Sequence, residues 1–311
     1  MDVMRFWLRM GCDGFRVDMA GTLVKNDPEG QGNVRLWRHF RDFLDREFPE
    51  AVMISEWGRP ELSLLAGFHM DFLLHNGPSH YMDLFRTEHP FFSREGRGDV
   101  SEFVRAYEAN AALAGKGLIC IPSGNHDMSR LAGMLDQEEM KIAFAFLLSM
   151  PGAPFLYYGD EIGMRWIDGL PSKEGSRSYR AGSRTPMQWA DDLNDGFSDA
   201  RPDRLYLPLD PTPAHPTAEA QMADPNSLGR RSTGSLPCGK AARPCNPRPP
   251  LHSCTPSRTV TLWSTSAPER PAGCWWPAIP AGSPRPAPWT GRHWERRSIA
   301  TASRPPWNRA C

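Results

Sequence analysis

The chain reads as an α/β fold with parallel strands. Short apolar, β-prone runs recur along the first 228 residues, and helical patterns or turn signals separate them. Each run also ends close to a carboxylate or a histidine. Parallel neighbours need a crossover of a dozen or more residues, usually a helix, and the intervals here are long enough. Five such units fit a βα barrel, whose functional side chains gather at the C-terminal strand ends. They also fit an open doubly wound sheet with chemistry at one switch point, but no Gly-rich phosphate loop supports that arrangement.

The first strand is expected at Gly14–Val17. A helix follows over Val34–Phe48, with apolar residues at 36, 40, 43, 44 and 48, and Pro49 closes it. Ala51–Ser55 is the second strand and Phe68–Leu74 the third, with His75-Asn76-Gly77-Pro78 as its exit loop. Val100–Ala114 is a helix ended by Gly115 and Gly117, and Gly117–Ile121 is the fourth strand. A strongly apolar helix over Glu138–Met150 stops at Pro151-Gly152. Ala153–Tyr158 is the fifth strand and leads into Gly159-Asp160-Glu161.

Composition divides the chain near residue 229. Residues 1–228 hold 23 Lys+Arg and 34 Asp+Glu, a net of −11, whereas residues 229–311 hold 13 and 2, a net of +11. The last 83 residues carry 15 prolines, six tryptophans and five cysteines (Cys238, Cys245, Cys254, Cys274 and Cys311), with few aliphatic residues. So little apolar surface cannot offset the entropy of ordering that length of chain. A disordered tail is therefore expected over 229–311, and its abrupt onset suggests out-of-frame translation of a GC-rich gene. Arginines scattered among prolines, rather than gathered on one face, argue against a nucleic-acid partner. No apolar run reaches the length of a membrane span, and the first ten residues lack a signal-peptide pattern. Only Cys12 and Cys120 fall in the first 228 residues, which fits a reducing compartment. A cytoplasmic location is expected.

Three segments carry chemistry: Gly14-Phe15-Arg16-Val17-Asp18, Ser55-Glu56-Trp57 and Asn125-His126-Asp127. Taken singly, each has an ordinary explanation: a salt bridge for Arg16 and Asp18, a surface acid for Glu56, a helix cap for the third. Arg16 lies two residues before Asp18 on one strand and so faces the same way. Its fixed charge is expected to hold Asp18 ionised. In this order, each after a strand, the segments resemble the catalytic regions of the α-amylase superfamily, glycoside hydrolase family 13. The stretch Phe155-Leu156-Tyr157-Tyr158-Gly159-Asp160-Glu161-Ile162-Gly163 resembles that family's segment after its eighth strand. Asp160 and Glu161 are read there first as loop-fixing residues. Ser183-Arg184-Thr185-Pro186-Met187-Gln188-Trp189 resembles members acting on short α-glucosides, among them oligo-1,6-glucosidases, α-glucosidases and trehalose synthases.

The resemblance implies a partial (β/α)8 TIM barrel, strands four to eight, over residues 1–228. It implies a retaining glycosidase acting on small α-glucosides or oligosaccharides, with Asp18 as nucleophile, Glu56 as general acid and base, and Asp127 as the third carboxylate. Trehalose-forming transfer, or a non-enzymatic remnant, is the alternative. Arg16, His126, Arg184 and His75 are the implied substrate-binding residues. Arg184 is expected to pair with an Asp near the first strand, outside this sequence, and otherwise to be an unpaired loop arginine. Tyr179–Gly182 is expected to be loop packing. No cofactor is expected. Intact members often fix a calcium ion in a region that nothing here matches, so no residue is assigned to a metal. Without strands one to three, the chain alone is expected to lack a stable monomeric fold and useful activity.

Overall fold

A computed structural model describes residues 1–74, 78–113, 115–170 and 178–232. The expectation for the tail falls almost wholly outside them. The five expected strands form as β1 Gly14–Val17, β2 Val52–Ser55, β3 Met70–Phe72, β4 Leu118–Pro122 and β5 Ala153–Phe155. They make one sheet in the order β1-β2-β3-β4-β5, with every neighbouring pair parallel. An open doubly wound sheet reverses its strand order at a switch point. The described sheet has no such reversal, so all five C-terminal strand ends lie along one rim.

β2 starts one residue late, and two strands are shorter than expected by three residues or more, for local reasons. β3 pairs with β2 at only two positions, Ile54 with Met70 and Ser55 with Asp71, because the chain after Ser55 bends over the Asp71 carboxyl. β5 stops at Phe155 because the Tyr157 N–H donates to the Ser123 hydroxyl at 2.9 Å instead of continuing the ladder.

The helices are α1 Asp2–Arg9, α2 Gln31–Glu47, α3 Pro60–Leu65, α4 Met82–Phe85, α5 Ser101–Ala111, α6 Gln137–Ser149 and α7 Ala218–Ala223. α2 begins three residues before the expected Val34. The Asp27 carboxylate accepts the Asn33 backbone N–H at 2.8 Å, which satisfies a donor that the first turn leaves orphaned. α6 opens with a capping box: Asp136 accepts the Glu139 N–H at 2.9 Å, and Glu139 accepts the Asp136 N–H at 2.7 Å.

The helices bury their apolar stripes against the outer face of the sheet. One core gathers Val34, Trp37, Phe43 and Leu44 of α2 with Met53 and Phe68. A second gathers Leu73, Ile119 and Ile121 with Phe103 and Tyr107 of α5 and Met140, Phe144 and Leu147 of α6. Leu228, in a helical turn over 228–232, is fully buried in that second core.

A buried carboxyl on β3 shapes the rim. Asp71 accepts the Ser55 hydroxyl at 2.7 Å and the backbone N–H groups of Trp57 and Arg59 at 3.1 and 3.0 Å. It thereby fixes the turn between β2 and α3, which carries Glu56. Burial pushes its carboxyl up to about 6 in spite of these donors.

Two predictions follow from this packing. Phe144→Ala removes a side chain only 1% exposed and is expected to cost about 3–5 kcal/mol. Ile142→Ala, on the 60% exposed side of the same helix, is expected to stay within about 0.5 kcal/mol. Urea unfolding midpoints check this, and equal losses would contradict the packing. The second concerns pH. Folded Asp71 keeps its proton to about pH 6, whereas an ordinary Asp releases it near about 4. The folded state thus binds more protons between those values. The stability that Asp71 contributes is fully present below that window and falls by roughly 2–3 kcal/mol as pH rises through it. Asp71→Asn is expected to flatten this slope in urea titrations from pH 4 to 7, and an unchanged slope would refute the assignment.

Candidate active site

β1 sets the first part of the site. Phe15 and Val17 pack against the α2 core, so Arg16 and then Asp18 face the inner side of the sheet. β1 and β2 run in register with Arg16 opposite Ile54 and Val17 opposite Ser55, and the Glu56 N–H continues the ladder to the Val17 carbonyl at 2.9 Å. Asp18 and Glu56 therefore emerge side by side. The Arg16 guanidinium lies between them, paired with Asp18 and with Glu56 Oε1 at 2.8 Å. Met19 adopts a left-handed backbone, φ 43° and ψ 45°, a conformation that costs a non-glycine residue about 1 kcal/mol or more. It aims the Met19 N–H at Glu56 Oε2, 3.2 Å away. Gly21 then passes flat against Trp57, whose indole nitrogen a Cβ there would meet at 2.3 Å.

The two carboxyls have different surroundings. Asp18 is 73% exposed and Glu56 only 18%. The hydrogen bond from Arg16 holds Asp18 below the usual carboxylate range; a hydrogen bond with Glu56 and the nearby His126 add to this. Burial pushes Glu56 up, against the Met19 N–H and the Arg16 charge. At neutral pH the arrangement favours an ionised Asp18 beside a carboxyl that keeps its proton more readily. Arg16, Glu56 and His126 line a hollow of about 180 Å³, with Phe72 and Phe155 at its base meeting edge to face at 4.8 Å.

The loop after β4 carries the second part. Asn125 accepts the Asp127 N–H at 2.8 Å in a local turn. Asp127 Oδ1 receives two guanidinium groups, Arg184 Nη2 at 2.9 Å and Arg180 Nη1 at 3.0 Å. His126 Nε2 lies 3.5 Å from Asp127 Oδ2, and Arg184 Nε also donates to the His126 carbonyl at 2.9 Å. This corrects two expectations. Arg184 has its partner within the described residues, and the 179–182 stretch contributes Arg180 to the site as well as packing. Neither pairing is legible from local spacing, since more than fifty residues separate the arginines from Asp127.

Sequence reasoning also missed Arg86 and Arg130, which hold this loop from beneath together with Asp160, a residue expected to fix a loop. Arg86, at the end of α4, donates to the carbonyls of Ser123 and Ser129 at 2.6 and 2.8 Å. Asp160 is buried, accepts the Ser123 hydroxyl at 2.8 Å and pairs with Arg130, which is a loop-fixing arrangement. Gly124 permits the close approach, because a Cβ there would lie 2.7 Å from Asp160 Oδ2. Glu161 sits beside it with its carboxyl pushed up by burial. Trp166 packs over Gly182 and donates to Asp168 at 2.7 Å. His75 lies outside the described residues. Among the described residues no group of three or more His, Cys, Asp or Glu side chains is placed to hold a metal ion. No described helix is long and apolar enough to cross a membrane.

Comparison with known proteins identifies the family. The family model described as the α-amylase catalytic domain matches residues 1–231. The trehalose synthase/amylase TreS of Mycobacterium tuberculosis is 31% identical over 265 residues, covering 69% of this chain and 41% of its own length. The oligo-1,6-glucosidase of Parageobacillus thermoglucosidasius is 26% identical over 295 residues, covering 73% of this chain and 50% of its own. The chain thus spans half or less of these relatives. Among solved structures, a trehalulose synthase MutB variant superposes with a TM-score of 0.58 at 21% identity, over 76% of this chain and 52% of that one. This last likeness bears on the fold alone. By its match along residues 1–231, the chain belongs to the α-amylase family, glycoside hydrolase family 13.

Proposed function

We propose that residues 1–228 supply strands four to eight of a (β/α)8 barrel and the catalytic carboxylates of a retaining enzyme acting on short α-linked glucosides. The observation that carries this reading is the Asp18–Arg16–Glu56 arrangement. One cation lies between two carboxyls, and their surroundings displace their proton affinities in opposite directions. The unbroken strand order supports the barrel, as do the unpaired outer edges of β1 and β5 among the described residues. So does the exposed apolar side of α1, with Val3, Phe6 and Met10.

In the first step Asp18 attacks the anomeric carbon while Glu56 gives its proton to the departing glycosidic oxygen, leaving a glucosyl ester on Asp18. In the second step Glu56, now ionised, takes a proton from the acceptor hydroxyl, which displaces Asp18. The Arg16 guanidinium holds both carboxyls, and an acting pair stands about 5–5.5 Å apart across the anomeric centre. Asp127 Oδ1 is taken up by Arg180 and Arg184, which leaves Oδ2 and the His126 ring to hold sugar hydroxyls. Water as acceptor gives hydrolysis, as the name oligo-1,6-glucosidase of one relative indicates. A sugar acceptor gives transfer, as the name trehalose synthase indicates for another. The first step is common to both.

Release of nitrophenol from a nitrophenyl α-glucoside, with the sugar's configuration followed by proton NMR, tests the reading, and turnover by this chain would overturn the expectation that the partial barrel alone lacks useful activity. Retention is expected. Glu56→Gln is expected to lower kcat/KM by about 10²–10⁴-fold, and Asp18→Asn by at least as much. Activity should fall on the acid side as Asp18 takes a proton, below the ordinary Asp range, and on the alkaline side as Glu56 loses one, above the ordinary Glu range. Full activity in Asp18→Asn, or inversion, would overturn the assignment.

A further inference from the structure

Arg130 is the largest fully buried side chain among the described residues, and the proposed chemistry does not use it. It lies three residues after Asp127, under the loop that carries the third carboxylate. Its side chain and that of Asp160 are both fully enclosed, with Nη1 3.2 Å from Asp160 Oδ1. Nη1 also donates to the Tyr158 carbonyl, and Nη2 donates to the Ser183 carbonyl at 2.9 Å. The guanidinium carbon lies 4.7 Å from the ring centres of both Tyr157 and Tyr158. A desolvated cation held by two rings and a carboxylate is strongly fixed in place.

Both tyrosines extend to the 183–185 segment. The Tyr157 hydroxyl donates to the same Ser183 carbonyl at 3.0 Å, and the Tyr158 hydroxyl donates to the Thr185 carbonyl at 2.6 Å. The Ser183 hydroxyl donates to the His126 carbonyl at 3.2 Å. Ser183 precedes Arg184, whose guanidinium reaches Asp127. Chain and contacts together close a ring: the backbone runs from Asp127 to Arg130, Arg130 bonds Ser183, Ser183 adjoins Arg184, and Arg184 pairs with Asp127. Only a planar fork with several donors can serve Asp160, Tyr158 and Ser183 together. A lysine would keep the charge and lose the geometry.

We propose that Arg130 is a positioning residue. By locking the 183–185 segment to the loops after β4 and β5, it places Arg184, and with it Arg180, on Asp127, so that Asp127 Oδ2 and His126 face the sugar. The inference deepens the functional reading above and rests on it for the sugar.

Two variants test it in the full chain. Arg130→Lys keeps a cation beside Asp160. Arg130→Met combined with Asp160→Asn removes both buried charges and leaves neither unpaired. Hydrogen exchange, read by mass spectrometry, is expected to quicken at the amides of 180–185 in both variants and to stay unchanged in α2. With nitrophenyl α-glucoside, kcat/KM is expected to fall roughly 10- to 100-fold. Both limbs of the pH profile should stay in place, since Arg130 does not touch Asp18 or Glu56, and a general loss of folded protein would not produce quickened exchange at 180–185 alone. In an Arg184→Met background Arg130→Lys is expected to cost less than about twofold more, because the two act through one contact. Unchanged exchange at 180–185 overturns the clamp whatever the activity. Quickened exchange with fully multiplicative losses in the Arg184→Met background overturns its role in positioning. Quickened exchange in a chain whose unsubstituted form releases no nitrophenol supports the clamp and counts against the functional reading instead.

Discussion

Arg16 gives the site its asymmetry. One guanidinium touches two carboxyls, yet it does not treat them alike. Asp18 is exposed and takes the full benefit of the cation, whereas Glu56 is recessed, and its burial outweighs the same charge. Two acids of the same chemistry thus acquire different proton affinities from one neighbour and a difference in depth. The depth comes from the backbone. The β1–β2 register lets Glu56 continue the ladder to Val17, and the left-handed Met19 closes its N–H over Glu56 from the other side. A slip of one residue in that register would turn Arg16 toward the helices and Phe15 toward the rim.

Loops cannot be oriented by an apolar core alone, because their backbone groups need partners of their own. This fold answers with buried charged groups beneath the rim. Asp71 collects the N–H groups of the turn after β2. Asp160 and Arg130 join the loops after β4 and β5. Arg86 takes the carbonyls at both ends of the Ser123–Ser129 segment. Such groups are costly to desolvate, and replacing a buried pair with apolar residues of similar volume is often neutral or better for stability. What apolar residues cannot supply is direction. Asp71, Arg86 and Arg130 each point at particular backbone groups, and those at Trp57, Arg59, Ser123, Ser129 and Ser183 lie within a few residues of Glu56, Asp127 or Arg184.

The elements were legible because each has a local signature. The spacing of Phe40, Phe43 and Leu44 marks α2, the prolines and glycines mark the stops, and β-prone runs mark all five strands. Strand ends were less legible. β5 is cut short by a side chain from another element, Ser123, and β3 by its own Asp71, whose carboxyl draws in the distant chain after β2. In the site, Arg16 beside Asp18 follows from alternation along one strand. Arg184 on Asp127 does not, and reading the arginine alone left it without a partner. Arg180, Arg86 and Arg130 escaped for the same reason. An arginine in a loop looks the same in sequence whether it lies in solvent or is stacked between two tyrosines.

The arrangement around the third carboxylate follows a different logic from the first two. At Asp18 and Glu56 one cation serves two acids. At Asp127 two arginines serve one oxygen, with a histidine beside the other. Proton transfer needs a pair poised between two protonation states, and a second fixed cation near Glu56 would favour its ionised form and remove the acid. Holding a hydroxyl needs the opposite, an acceptor that stays in one place. Two rigid forks on a single oxygen give that, and they leave the other oxygen beside His126. In the proposed reaction Glu56 gives up its proton as the sugar gains positive charge, so its carboxylate becomes negative as the oxocarbenium-like transition state forms. The rim is then most favourable to that cation at the moment it develops, which is the form of electrostatic complementarity that accelerates a step.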